Sequence, residues 1–187
     1  FGAAGLVECD ATSGLQQAAQ PAGTGFVVLP APRPAPGTYT VAVWVSADAG
    51  ASGGLVSFGD SATAASAASA TALGLDAQSR ATLTVATSTG PVVVRSSTVD
   101  GLADGAPHLL VATSQASGGV ADLALYLDGI PVDSAAGVVL PTPGPGHWQT
   151  GGADGPTAQA ALDELTVWEG VALTAEQVSD LASADNW

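Results

Sequence analysis

The stretch "TYTVAVWVSA" (38–47) limits the possible folds more than any other. Most of its positions carry β-branched or aromatic side chains, and they alternate. Tyr39, Val41, Val43 and Val45 fall on one face; Thr40, Ala42, Trp44 and Ser46 fall on the other. A period of two belongs to a strand with two distinct faces. The pattern recurs in "GFVVLP" (25–30), "GLVSFGD" (54–60), "ATLTVAT" (81–87), "PVVVRSS" (91–97), "HLLVATS" (108–114), "ADLALYLDG" (121–129), "IPVDSA" (130–135) and "ALDELTVWEG" (161–170). Short strands separated by turn signals predict an all-β sandwich or barrel. The proline-rich segments 30–36 and 141–146 read as crossings between sheets. The run "SATAASAASATA" (61–72) is low in complexity; a helical turn is the alternative, but it reads as a surface loop.

Helix is expected once, near 174–183. In "LTAEQVSDLASA", Thr174 caps and Gln177 reaches back from three residues on, the capping-box spacing. Val178 and Leu181 then share one narrow face. No internal repeat and no domain boundary interrupts the pattern, so residues 1–187 read as one domain.

Composition narrows the function. Hydrophobic residues make up 47% of the 187, enough for a full core. Seventeen acids face three arginines (Arg33, Arg80, Arg95) and no lysine, a net charge of −14. Such a surface repels phosphate backbones and anionic lipid, so no nucleic-acid partner is expected. No apolar run is long enough to predict a membrane span. The chain opens at Phe1 with no methionine and no basic-then-apolar leader, which fits a processed chain or a start inside a longer gene product. Cys9 is the lone cysteine; it cannot close an internal disulfide and is expected to be a small buried side chain.

Asp128-Gly129 stands between two apolar segments and supplies the positive-φ positions of a tight hairpin. Leu123, Leu125 and Leu127 share the face before it. The order "YTVAVWV", "LVSFGD", "HLLVATS", "LALYLDGIPV", "ALDELTVWEGVALTAEQVSDL" resembles the laminin-G-like, concanavalin-A-like lectin-glucanase family over about residues 38–183. The closing motif is the most specific part: Asp163-Glu164 opens a strand, Trp168 takes its aromatic place, and "GVALTAEQV" leads into the helix. The chain departs from the pattern at Pro107, where the family often has tryptophan, and in a closing strand without lysine or arginine. The resemblance implies a jelly-roll sandwich of two antiparallel sheets with one short C-terminal helix, in which the hairpin holds register.

No catalytic group is expected. A glycosidase needs two carboxyl groups facing each other across the bond. The chain has no run of alternating acids of that kind; Glu8 and Asp10 alternate without a third, and Asp163 and Glu164, being adjacent, should point to opposite faces. No nucleophile elbow or phosphate loop is present. No cofactor is expected. Calcium is the one ion the acids leave open, through Asp48, Asp60, Asp154 and Asp163 at loops or strand ends, although no D-x-D-x-D-G loop occurs.

Glycan recognition needs an aromatic platform beside polar groups. "GPGHWQTGGADG" supplies the candidates: His147, Trp148 and Asp154 on a glycine-rich rim loop. The competing reading makes "HWQTGG" a strand whose tryptophan packs inside. Trp44 and Trp168 are expected in the core or on a sheet face. The expected function is a non-catalytic recognition or adhesion module, extracellular on a cell surface or virion, binding glycan or a surface protein. The alternative is a structural assembly protein, such as a capsid decoration or tail component, that packs against copies of itself.

Overall fold

The computed structural model describes residues 27–28, 32–60, 69–97, 101–140, 144–150 and 158–184. They form two antiparallel sheets and one short helix. The first sheet has six strands: β1 (Val27–Val28), β10 (His147–Thr150), β3 (Gly53–Gly59), β4 (Ser69–Leu75), β5 (Ala81–Val85) and β6 (Val92–Arg95), in that spatial order. The second has five: β11 (Ala160–Glu169), β2 (Tyr39–Ala47), β7 (Pro107–Ser117), β8 (Val120–Leu127) and β9 (Ile130–Val139). Helix α1 (Ala175–Ala184) follows. The alternation predicted an all-β sandwich or barrel, and the two-sheet jelly-roll sandwich that the family resemblance implied is the fold found.

The two faces of β2 separate as the sequence demands. Tyr39, Val41, Val43 and Val45 enter the core between the sheets, with Leu110, Leu123, Leu125, Phe58, Leu83 and Trp148. Ala42 and Trp44 point the other way. They join Leu109, Val111, Tyr126 and Val178 in a second cluster, where α1 covers the outer face of the five-stranded sheet. Thr174 and Gln177 close the capping box, with Gln177 N donating to Thr174 Oγ1 (3.3 Å) and Thr174 N to Gln177 Oε1 (2.9 Å).

The hairpin between β8 and β9 turns at Asp128 (φ 50°) and Gly129 (φ 81°). Its glycine serves a second purpose. A Cβ on Gly129 would lie 3.0 Å from Ala182 Cβ and 3.1 Å from Ser179 Cα, so α1 rests directly on the turn. The hairpin thereby seats the helix.

Two expectations are corrected. Residues 69–72 lie in β4 and are not part of a surface loop; Thr71 pairs with Val85, and its hydroxyl meets Tyr39 Oη at 2.7 Å. Glu164 does not simply face away from Asp163, because a bulge interrupts the β11–β2 pairing there and Glu164 takes φ 48°. The remainder of the alanine-serine run, 61–68, lies outside the described residues, as does Cys9. Both proline-rich segments do carry the chain between sheets, and they meet: Arg33 and Gly146 exchange backbone hydrogen bonds of 2.7 and 2.8 Å.

Candidate functional site

The rim position expected for His147 and Trp148 is not where the fold puts them. Both belong to β10, which pairs with β3 on one side and β1 on the other. Trp148 is only 3% exposed and His147 8%. The indole meets Phe58 and Tyr39 edge-on, at centroid distances of 5.3 and 5.6 Å, and its Nε1 donates to Glu169 Oε1 at 3.1 Å. That is a core anchor with a satisfied polar tip. Gly146 is there for packing: a Cβ would fall 2.5 Å from Gly59 O and 2.8 Å from Phe58 Cε1. Asp154 lies outside the described residues.

Of the acids considered for calcium, the three that are described do not form a cluster. Asp48 follows β2 and Asp60 follows β3, and the chain crosses the sandwich between them, so they sit at opposite ends. Asp163 lies within β11, where Oδ1 accepts from the next amide, Glu164 N, at 2.9 Å. Among the described residues, no group of three or more His, Cys, Asp or Glu side chains is arranged to hold a metal ion.

What the fold does bring together is a polar cleft of about 260 Å³ at the end where β2 and β4 finish and β5 begins. Gly50, Gln78, Ser79, Arg80, Ser97 and Asp104 contribute to its lining. The turn Asp76–Arg80 builds one wall. Asp76 Oδ1 accepts from Gln78 N (2.9 Å) and Arg80 N (3.1 Å), and Oδ2 from Arg80 Nε (2.8 Å). Arg95 Nε reaches the same carboxylate at 3.2 Å. Burial pushes the Asp76 carboxyl up, but the hydrogen bonds and charge of Arg80 outweigh it and leave it below the ordinary range. Ser79, at φ 59°, is held in the left-handed region, and its Oγ accepts from Gly50 N at 3.1 Å. The wall is therefore fixed before any ligand arrives.

The opposite wall is the loop before β7. Gly105 N donates to Ala47 O (2.9 Å), and Ser46 Oγ to Gly105 O (2.9 Å). Asp104 is held by Ala106 N (2.7 Å) and by His108 Nε2 (3.2 Å). The other nitrogen of His108 meets Asp128 Oδ2 in the hairpin at 2.8 Å. Burial alone would lower the imidazole's proton affinity; Asp128 and Asp104 outweigh it and hold His108 above its ordinary value. Asp104 itself is more than half exposed and offers acceptor capacity to the cleft.

Sequence reasoning missed this cleft because its residues are scattered over separate turns with no motif. The only trace in the sequence is the spacing of Asp76 and Arg80, four residues apart just before the strand expected at 81–87. The cleft differs from the expected platform in lacking a ring. Among the described residues Tyr39, Trp44, Phe58, Tyr126 and Trp148 are buried and Trp168 is half-buried.

Comparison with known proteins agrees with this architecture. The heptameric SAP-like pentraxin of Limulus polyphemus superposes with a TM-score of 0.65 at 18% identity, over 89% of this chain and 79% of that one. The CBM40 of Ruminococcus gnavus IT-sialidase gives 0.66 at 10% identity, over 89% and 97%. Domain 4 of AbnA, an extracellular arabinanase of Geobacillus stearothermophilus, solved with arabinotriose, gives 0.60 at 19% identity, over 95% and 85%. At such identities the likeness is one of fold. No curated protein sequence matches the chain. The family model for the concanavalin A-like lectin/glucanases superfamily matches residues 21–179, and over that span the strand order and closing helix are those the family resemblance implied. The chain belongs to the concanavalin A-like lectin/glucanase superfamily.

Proposed function

We propose that the chain is a non-catalytic glycan-recognition module that works outside the cell, and that the polar cleft is where the sugar binds. The observation that carries this reading is the cleft's content: fixed hydroxyl, amide, guanidinium and carboxylate groups lining one small concavity. A sugar ring is recognised by pairing each hydroxyl with a preset donor or acceptor. Asp104 suits an incoming hydroxyl donor, and the Gln78 and Ser97 side chains suit either role. The walls are pinned by their own hydrogen bonds, so little ordering entropy is lost on binding. Asp104 is the sole carboxyl group among the described lining residues, whereas the two-carboxyl chemistry of glycosidases needs a pair. The carbohydrate-binding module and the arabinotriose-bound domain among the structural neighbours support the same ligand class.

The experiment is a glycan array followed by titration calorimetry of each hit. Hydrogen-bonded sugar recognition of this size predicts dissociation constants of roughly micromolar to millimolar. Gln78→Ala and Asp104→Asn should each weaken a hit by about tenfold, the worth of one well-made polar contact. An array without hits, or hits indifferent to both substitutions, ends the proposal.

A further inference from the structure

The opposite end of the sandwich holds a larger cleft, of about 690 Å³, whose chemistry differs from that of the polar one. It opens where β2 and β4 begin and β5, β7 and β9 end. One wall is the crossing strap, with Pro32, Pro34 and Pro36, joined by Pro145 from the segment before β10. The strap is tied at both ends. Arg33 is bonded to Gly146 through the backbone in both directions, and Ser114 Oγ donates to Gly37 O at 2.7 Å. Gly37 runs so close to β7 that a Cβ would come 3.1 Å from Ala116 Cβ. Proline fixes φ and brings no N–H, so the four prolines give this wall a rigid, apolar surface.

The floor is Tyr39 and Thr71, hydroxyl to hydroxyl, with Val85 and Leu140 beside them. Burial pushes the Tyr39 phenol up to about 12, so the floor carries no charge near neutrality. The charge sits at the mouth. Arg80 and Arg95 rest on Asp76 at the other end of the sandwich, while Arg33 lies at the strap, its side chain 48% exposed. Its Nη1 meets Glu169 Oε2 at 3.0 Å, and Glu169 also takes the Trp148 indole proton. The other guanidinium nitrogens face no partner among the described residues.

We propose that this cleft binds an aromatic ligand bearing one anionic group, with the ring between the prolines and the anion on Arg33. The wall supplies C–H groups and no π face. A sugar, itself a C–H surface, gains little against it; an aromatic ring gains the ring-on-pyrrolidine packing by which proline-rich peptides dock on aromatic grooves, with the roles exchanged. A guanidinium with open donors is matched by a carboxylate or sulfonate. The volume falls within the usual range for small-molecule pockets, about 300–1,000 Å³.

The probes are 8-anilino-1-naphthalenesulfonate and its uncharged counterpart N-phenyl-1-naphthylamine, titrated by fluorescence into the full chain. Salt is kept at about 0.15 M, where the Debye length of about 8 Å screens the net negative charge. The sulfonate probe should saturate a single site. Arg33→Gln should weaken the sulfonate by about tenfold and leave the amine within about twofold. Ala70→Leu and Ala35→Leu each push a larger side chain into the cleft and should abolish both probes, with thermal melts confirming that the variants are folded; one folded variant is enough. Absence of saturable binding, binding that survives the filled cleft, or equal response of the two probes to Arg33→Gln overturns the proposal.

Discussion

At the scale of single residues, burial decides what a side chain is for. Trp148 packs between Tyr39 and Phe58 and gives its N–H to Glu169. Truncation to alanine should cost about 3–5 kcal/mol of stability, as large core deletions do. Urea unfolding that shows a loss under about 1 kcal/mol would mean that the ring is not part of the core. His108 tests the electrostatics. Its folded-state proton affinity is raised by Asp128 and Asp104, so the stability it contributes is complete below the ordinary histidine value and is lost as pH rises through the raised one. Between about pH 5.5 and pH 8.5, which brackets the ordinary value of ≈ 6.5, the melting temperature of the wild type should therefore fall more than that of His108→Gln. Equal slopes would show that the two carboxylates do not hold the imidazolium.

At the scale of elements, α1 and the β8–β9 hairpin act as one unit. Gly129→Ala both strains a positive φ and drives a methyl into Ser179 and Ala182, so it should cost about 1–3 kcal/mol. Gly118→Ala is the control, since it meets the same backbone strain with nothing within 4 Å. If the two variants unfold at the same urea concentration, the helix does not bear on the turn. The capping box, this hairpin and both faces of β2 were legible because each depends on neighbours in sequence. Strand β4 was not, because alanine, serine and threonine give no apolar contrast and the pairing with β3 and β5 supplies what the pattern lacks. Strand β10 was legible only as the competing reading of "HWQTGG", a strand with its tryptophan inside. Its flanking glycines and prolines look like loop, yet Gly146 is a glycine because β3 lies against it. The polar cleft was the least legible feature, since Gln78, Ser97 and Asp104 meet only once both sheets are in place.

At the scale of the molecule, the sheet order sets the sequence of events by which the chain can fold. Strand β2 is flanked by β7 and by β11, and β3 is flanked by β4 and by β10. Strands made early thus wait for partners made last. Until residues 160–169 emerge, β2 presents an unpaired edge of valine, tryptophan and tyrosine, the kind of edge that recruits other chains. Pairing across so much intervening chain also makes folding slow, because loop closure precedes the contacts that reward it. A version ending at Thr150 should accumulate in the insoluble fraction, whereas one that keeps β11 and α1 should not; soluble, folded protein from the shorter version would argue against this. Production in a cell is therefore governed by the interval between synthesis of the second strand and the eleventh, during which a chaperone or a slow ribosome has the most to offer.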